Sequence, residues 1–322
     1  MPDAFQSHKL AALLAAVAAV AAIVTLALAS RLSDAPPLKV SRCRLDLGDL
    51  RVNGCKLLKS DTSAVADPRP LWGRIDCANA SRHERITPGG DPHPTGAGSP
   101  QPDRSYRRLT ALDGDRVFGE RCELGANEYR PDFGGTFNLY GEGQHRVTFV
   151  SIRLPADFPL STSTWQIVMQ MKQTQPSDNG NGTPVLALQA QADHWTLFHS
   201  TSADESDNAV ELWSTPAAKG TWTRFAFDVV YSQNSSDGRI KVYADLNGDG
   251  DAVDPGEQSP PLQTYTLKRE SAPSTSPTDP LAQGDSIPSH LRTGLYHDET
   301  IACPPPGGCP VEIDNVQVYV AP

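Results

Sequence analysis

"RVTFVSIRLPADFPLSTSTWQIVMQMKQ", residues 146–173, holds two runs of alternating apolar and polar residues joined by a Pro/Ser/Thr-rich connection. Strand side chains point to opposite faces in turn, so alternation is the mark of a half-buried strand. In residues 165–173 this places Trp165, Ile167, Met169 and Met171 on one face. Gln166, Val168, Gln170 and Lys172 fall on the other. Working outward, the same habit recurs at 184–192, 194–200, 209–214, 221–232, 238–245, 263–268, 289–300 and 311–320. Short alternating strands separated by turn signals indicate a sandwich rather than a parallel α/β sheet. The expected fold is all-β, a jelly-roll β-sandwich of the concanavalin A-like kind. The 28 prolines and 25 glycines among 322 residues leave little room for long helices outside the N-terminus.

That N-terminus differs from the rest. After Lys9 the chain is apolar from Leu10 to Ala29 and ends in Ala27-Leu28-Ala29, a small-x-small pattern before Ser30. Residues 1–29 therefore read as a secretory signal cleaved after Ala29, or as an uncleaved membrane anchor. The expected location is secreted, or anchored at the outer face of the membrane. Residues 30–70 form an N-terminal extension and 71–322 the jelly-roll domain. Six cysteines suit an oxidising compartment. Proximity suggests Cys43–Cys55 and Cys303–Cys309, which leaves Cys77 with Cys122. A net charge of −10 argues against nucleic acid as a partner. It also disfavours a polyanionic ligand unless basic side chains gather locally. The chain is expected to be a monomer and to need no organic cofactor.

Three strands carry polar residues on a single face. "SHLRTGLYHDET" (289–300) projects His290, Arg292 and Tyr296 together, with Gly294 leaving a gap. "ERCEL" (120–124) puts Arg121 and Glu123 together, and 165–173 offers Gln170 and Lys172. A sheet face bearing Gln, Lys, Arg, Glu, His and Tyr makes a polar groove suited to a polyhydroxylated, acidic sugar, whose carboxylate an arginine clamps through two hydrogen bonds.

In that order, "RCELG" (121–125), "QMK" (170–172) and "HLRTGLY" (290–296) resemble the three motif strands of the alginate-lyase and heparin-lyase-I-like jelly-roll polysaccharide lyases. In alginate lyases these read Arg-x-Glu-x-Arg, Gln-x-His and Tyr-x-Lys-x-Gly-x-Tyr. The framing text, including "TWTRFAFDVVYS" (221–232) and "VEIDNVQVYV" (311–320), is most similar to the branch of heparin lyase I and glucuronan lyases, and the resemblance covers roughly residues 70–322. It implies β-elimination on a uronate polysaccharide. Tyr296 takes the place of the catalytic tyrosine and Arg292 that of the basic residue before it. Gln170, Arg121 and Glu123 take substrate-binding places. Lys172 stands where alginate lyases have histidine, Gly125 replaces the second arginine, and His290 replaces the first tyrosine of the third motif.

Elimination needs the uronate carboxylate neutralised, the C5 proton removed and the leaving O4 protonated. A phenol ionises near pH ~10, so its use as a base calls for adjacent positive charge. Arg292, Lys172 and a protonated His290 would supply it. Two other classes stay open. One is a noncatalytic carbohydrate-binding module that kept the groove. The other is a glycoside hydrolase, for which Glu312 and Asp314 are the nearest paired carboxylates.

"DLNGDGDAVDPGE" (245–257) sets Asp245, Asn247, Asp249 and Asp251 at alternate positions, with Gly250 between the last two. This is the first half of a calcium loop, with Glu257 one residue beyond the usual closing position. The expectation is a structural Ca2+ turn in a β-hairpin, against a plain acidic turn.

Overall fold

The computed structural model describes residues 44–64, 66–92, 104–115, 120–125, 138–173, 183–204, 209–273 and 281–321. The apolar segment 10–29 and Cys43 lie outside them. Their single α-helix, α1 (Arg69–Trp72), is four residues long. The rest is built on strands that form two large antiparallel sheets.

The first sheet has the order β13 (Ala209–Pro216), β12 (His194–Ser200), β11 (Leu186–Gln191), β10 (Gln166–Gln173), β19 (Ser289–His297), β7 (Glu120–Gly125) and β4 (Arg74–Cys77). A short strand, β8 (Asn138–Tyr140), also pairs with β19. The second sheet runs β16 (Leu262–Gln263), β15 (Arg239–Asp245), β14 (Trp222–Val230), β9 (His145–Arg153), β20 (Cys309–Val320), β6 (Tyr106–Ala111) and β5 (His83–Ile86). Here β3 (Lys56–Asp61) adds to β20, so part of the stretch read as an N-terminal extension is an integral strand of the sandwich. Consecutive strands that skip across the order, such as β19 between β10 and β7, give the crossovers of a jelly roll.

Between the sheets, one apolar cluster takes alternate residues from both, including Leu124, Met169, Met171, Leu291 and Leu295 from the first and Ile152, Phe225, Val242 and Ile313 from the second. That shared core fixes the outward faces, because a one-residue slip would bury every polar partner. One phase was misread in the sequence. The register of β10 against β19 shifts between Ile167 and Met169, a β-bulge. Past the bulge the alternation inverts, so Val168 joins the core while Ile167 pairs with Tyr296. Gln166 turns inward, its amide donating to Pro159 O (3.0 Å) and Ala190 O (2.8 Å).

A second correction concerns residues 263–268, expected as one strand. They divide between the ends of β16 and of β17 (Lys268–Arg269). At the break the Thr266 and Leu267 amides both donate to Ser232 O, and the Thr266 hydroxyl accepts from Ser232 N (2.7 Å) and donates to Val230 O (2.7 Å).

Two disulfides are present as expected, Cys77–Cys122 and Cys303–Cys309. Cys55 is disulfide-bonded too. The Pro/Gly-rich stretch is tied down where it begins. Gly89 N and Gly90 N both donate to Arg104 O, and buried Asp91 accepts from Ser151 Oγ (2.6 Å). Its backbone N–H donates to Asp314 (3.0 Å). Burial beside Asp91 pushes the Asp314 carboxyl up to about 8. Glu312, the other carboxylate considered for hydrolysis, is likewise buried in the second sheet and held by Arg108 and Arg153.

Candidate active site

Three adjacent strands, β10, β19 and β7, bring the expected polar residues onto one face of the first sheet. The register places Gln170 beside Arg292 and Lys172 beside His290 on one flank. On the other, Arg121 faces Tyr296 and Glu123 faces Gly294. Gly294 has φ +137°, and a Cβ there would lie 2.3 Å from Cys122 O and 2.8 Å from Glu123 Cα. Only glycine lets β7 approach this closely. Gly125 sits under the Arg292 side chain, where a Cβ would be in ordinary contact with the guanidinium stem.

Tyr296 is the one residue of β19 that is not buried. The Arg121 guanidinium lies 4.0 Å from its ring centroid, and the Trp165 indole meets the ring edge-on at 4.8 Å. Trp165, expected on the core face, reaches the site because of the β10 bulge. The cation over the phenol ring is thus Arg121, from β7, and not Arg292 or His290 of the phenol's own strand.

Arg292 is occupied below the surface. Its guanidinium reaches Glu123 Oε2 (3.3 Å) and Asp76 Oδ2 (3.5 Å), and its Nε donates to His290 Nε2 (3.0 Å). A ring nitrogen that accepts this bond carries no proton, so the expected imidazolium at His290 does not exist in this arrangement. His290 is also fully buried, beneath the groove surface. Gln170 donates to Glu123 Oε1 (2.6 Å), which leaves its second N–H for another acceptor.

Asp76, on β4, was not found in the sequence. It is buried, and its Oδ2 meets Arg74 (3.2 Å), Arg121 (3.1 Å) and Arg292 (3.5 Å). Burial alone would raise its carboxyl, but the three arginines outweigh burial and hold it below the usual carboxylate range. For Arg121, burial works against the charge while Glu123 and Asp76 raise it, and they prevail. A usable signal did exist. Once Cys77 is paired with Cys122, β4 lies against β7 and Asp76 falls opposite Glu123.

Among the described residues, Arg74, Arg121 and Arg292 gather around the carboxylates Asp76 and Glu123, and Lys172 lies along the strand from Gln170, beside His290. Such a face can neutralise an anionic sugar unit, and a half-exposed phenol stands at its edge.

A family model described as Polysaccharide lyase matches residues 102–318, more than half of the chain. The chain belongs to this polysaccharide lyase family. Among solved structures, an endo-β-1,4-glucuronan lyase from the fungus Trichoderma reesei shares the lyase's fold at TM-score 0.50 and 15% identity, over 77% of this chain and 90% of that one. The alginate lyase AlgAT5 of polysaccharide lyase family 7 has 15% identity over 67% and 79%, at TM-score 0.39. An alginate lyase from Pseudomonas aeruginosa has 14% identity over 66% and 82%, at TM-score 0.38. No curated protein matches this lyase.

The acidic turn of the lyase lies away from this face, between β15 and β16 of the second sheet. Its side-chain oxygens cap loop amides. Asp245 accepts from Gly248 N (2.7 Å) and Gly250 N (3.0 Å). Asn247, Asp249 and Asp251 each accept from the amide two residues on, and Glu257 accepts from Leu246 N and Asp254 N (both 2.9 Å). Among the described residues, no three of the four carboxylates Asp245, Asp249, Asp251 and Glu257 place ligand atoms within 4.8 Å of one another.

Proposed function

We propose that this polysaccharide lyase cleaves a uronate-containing polysaccharide by β-elimination, with Tyr296 as the proton-transfer group. The observation that carries the reading is the Tyr296 phenol at the edge of a polar, arginine-bearing sheet face, with the Arg121 guanidinium 4.0 Å from its ring. The names of the glucuronan and alginate lyases of like fold support the substrate class.

In this scheme Arg121, Lys172 and Gln170 meet the uronate carboxylate, so that charge moving toward it as the C5 proton leaves is stabilised. Arg292, Glu123, Asp76 and His290 position them from below. The phenolate oxygen of Tyr296 takes the C5 proton. The C5 electron pair forms the C4–C5 double bond, the C4–O4 bond breaks, and the phenol returns its proton to O4. Trp165 flanks the ring and restricts its rotation.

The test is ultraviolet absorbance of the purified chain incubated with glucuronan, alginate, heparin and related polyuronates. A rise from the unsaturated uronate product on at least one polymer is expected. A flat trace on all of them, with one polymer retained in an affinity gel, would replace this reading by a noncatalytic binding module. Chain cleavage without absorbance would point to hydrolysis.

Export of a monomeric enzyme to an oxidising compartment belongs to the same proposal, supported by the apolar residues 10–29 and the disulfides. So does a structural Ca2+ in the 245–257 turn. Its support is the alternate oxygen side chains and the burial of Asp245 and Glu257, which pushes both carboxyls up. A nearby cation would relieve that cost. The ion would exchange the loop's amide bonds for its own coordination. At a hundredfold excess over Kd a ligand adds about 2.7 kcal/mol, so millimolar CaCl2 should raise Tm by roughly 5 °C or more over chelator. Equal melting in both would remove calcium from the proposal.

A further inference from the structure

The second sheet carries a cavity of its own, on the face turned from the core. Its volume is about 550 Å3, and its walls include His145, Asp228, Val230, Arg239, Lys241 and Leu262. The strand register explains the gathering. Val230 pairs with Arg239 on β15 and with His145 on β9, while Asp228 pairs with Lys241, so these side chains share one face. The volume falls in the range of small-ligand sites.

The charges in it are unequal. Asp228 is taken by His145, whose Nε2 lies 2.6 Å from its Oδ1. Arg239 and Lys241 form no ion pair among the described residues; Lys241 Nζ sits 4.8 Å from the Tyr243 ring centroid. Two cations without a carboxylate partner on a chain of net −10 mark a place that favours an anion. Val230, Pro261 and Leu262 supply apolar wall for the C–H face of a sugar ring, and His145 and Gln263 supply hydrogen-bonding groups for its hydroxyls.

We propose that this cavity is a second, noncatalytic site for a carboxylate-bearing saccharide unit, with Arg239 and Lys241 on the carboxylate. It belongs to the sheet opposite the Tyr296 face, so one enzyme molecule grips an acidic polymer at two places. Linked binding of this kind strengthens the hold on long chains without changing the chemistry on short ones. The ligand class rests on the polyuronate reading above; the cavity and its charges do not.

The test uses the full chain with Tyr296→Phe, titrated calorimetrically with a glucuronan hexasaccharide, with and without Arg239→Ala/Lys241→Ala. Two equivalents should bind to the first protein and one to the second. In the otherwise native enzyme, Arg239→Ala/Lys241→Ala should leave kcat and KM on the hexasaccharide unchanged and raise KM for long glucuronan about tenfold. Arg239→Glu should do the same, which guards against an effect of lost packing. The same stoichiometry in both proteins overturns the proposal. So does displacement of the second equivalent by millimolar sodium sulfate, which would make the cavity a simple anion site. If no polymer is eliminated but two equivalents bind, the reading of the Tyr296 face falls and this site stands. Elimination with a single equivalent does the reverse.

Discussion

Replacing Tyr296 by Phe should lower kcat by a factor of ~10³–10⁴, near the upper end for one general acid–base group, because the same oxygen takes one proton and gives another. Binding of polymer should change little. Phe keeps the ring that Trp165 and Arg121 contact, and the cations that meet the carboxylate are untouched. The measurement is initial absorbance rate against polymer concentration, with affinity-gel retention as a separate readout of binding. A tenfold loss or less would show that another group moves the proton, and Lys172, half-buried on the adjacent strand, would be the next to test. A loss of retention together with rate would mean that the hydroxyl serves binding.

The largest effect on stability is expected far from that phenol, at Asp61. Its carboxylate accepts two bonds from Arg107 (Nε 2.8 Å, a terminal nitrogen 3.0 Å), one from the Trp72 indole (2.6 Å) and one from Ser63 N (2.8 Å). Side-chain exposure is 1% for Arg107 and 2% for Asp61, so solvent does not screen the pair. Next to them His83 is pushed down to about 4, by burial first and by the Arg107 charge second, so it stays neutral and adds no second cation. Asp61→Ala removes the buried carboxylate that pairs with the Arg107 guanidinium and accepts from the Trp72 indole. Removing one partner of a buried pair costs ~3–5 kcal/mol, or about 10 °C in Tm for a domain of this size. Thermal melting decides it. A shift of a degree or two would mean that Arg107 finds water or another acceptor at no cost. The bond also makes β3 indispensable, since Asp61 ties that strand to β6 and to α1.

Much of this could be read in the chain beforehand. Alternation alone placed most of the strands of both sheets, because a half-buried strand must alternate and a helix of the same composition would not. The same period put Arg121 with Glu123, and His290 with Arg292 and Tyr296, and the structure brings all of them to one face with Gln170 and Lys172. What failed were features without a local signature. The bulge in β10 reverses the faces of Trp165 and Ile167, yet a bulge depends on the partner strand's register, which no window of sequence contains. Residues 263–268 alternate properly and still divide, and at the break Thr266 bonds to Ser232 and Val230, residues more than thirty positions away in the chain.

The site shows the same division. Its residue types were fixed along the chain, and so was the glycine that lets two strands meet at Gly294. Which cation serves which anion was decided only by packing. Arg292 looked like the neighbour of the phenol and is instead held by Glu123, Asp76 and His290, while Arg121 from another strand covers the ring. Asp76 entered from a strand that the disulfide carries into place. Periodicity reports which side of a strand a residue occupies. Pairing among long charged side chains depends on distances between strands far apart in sequence, and those exist only once the two sheets have closed on their common core.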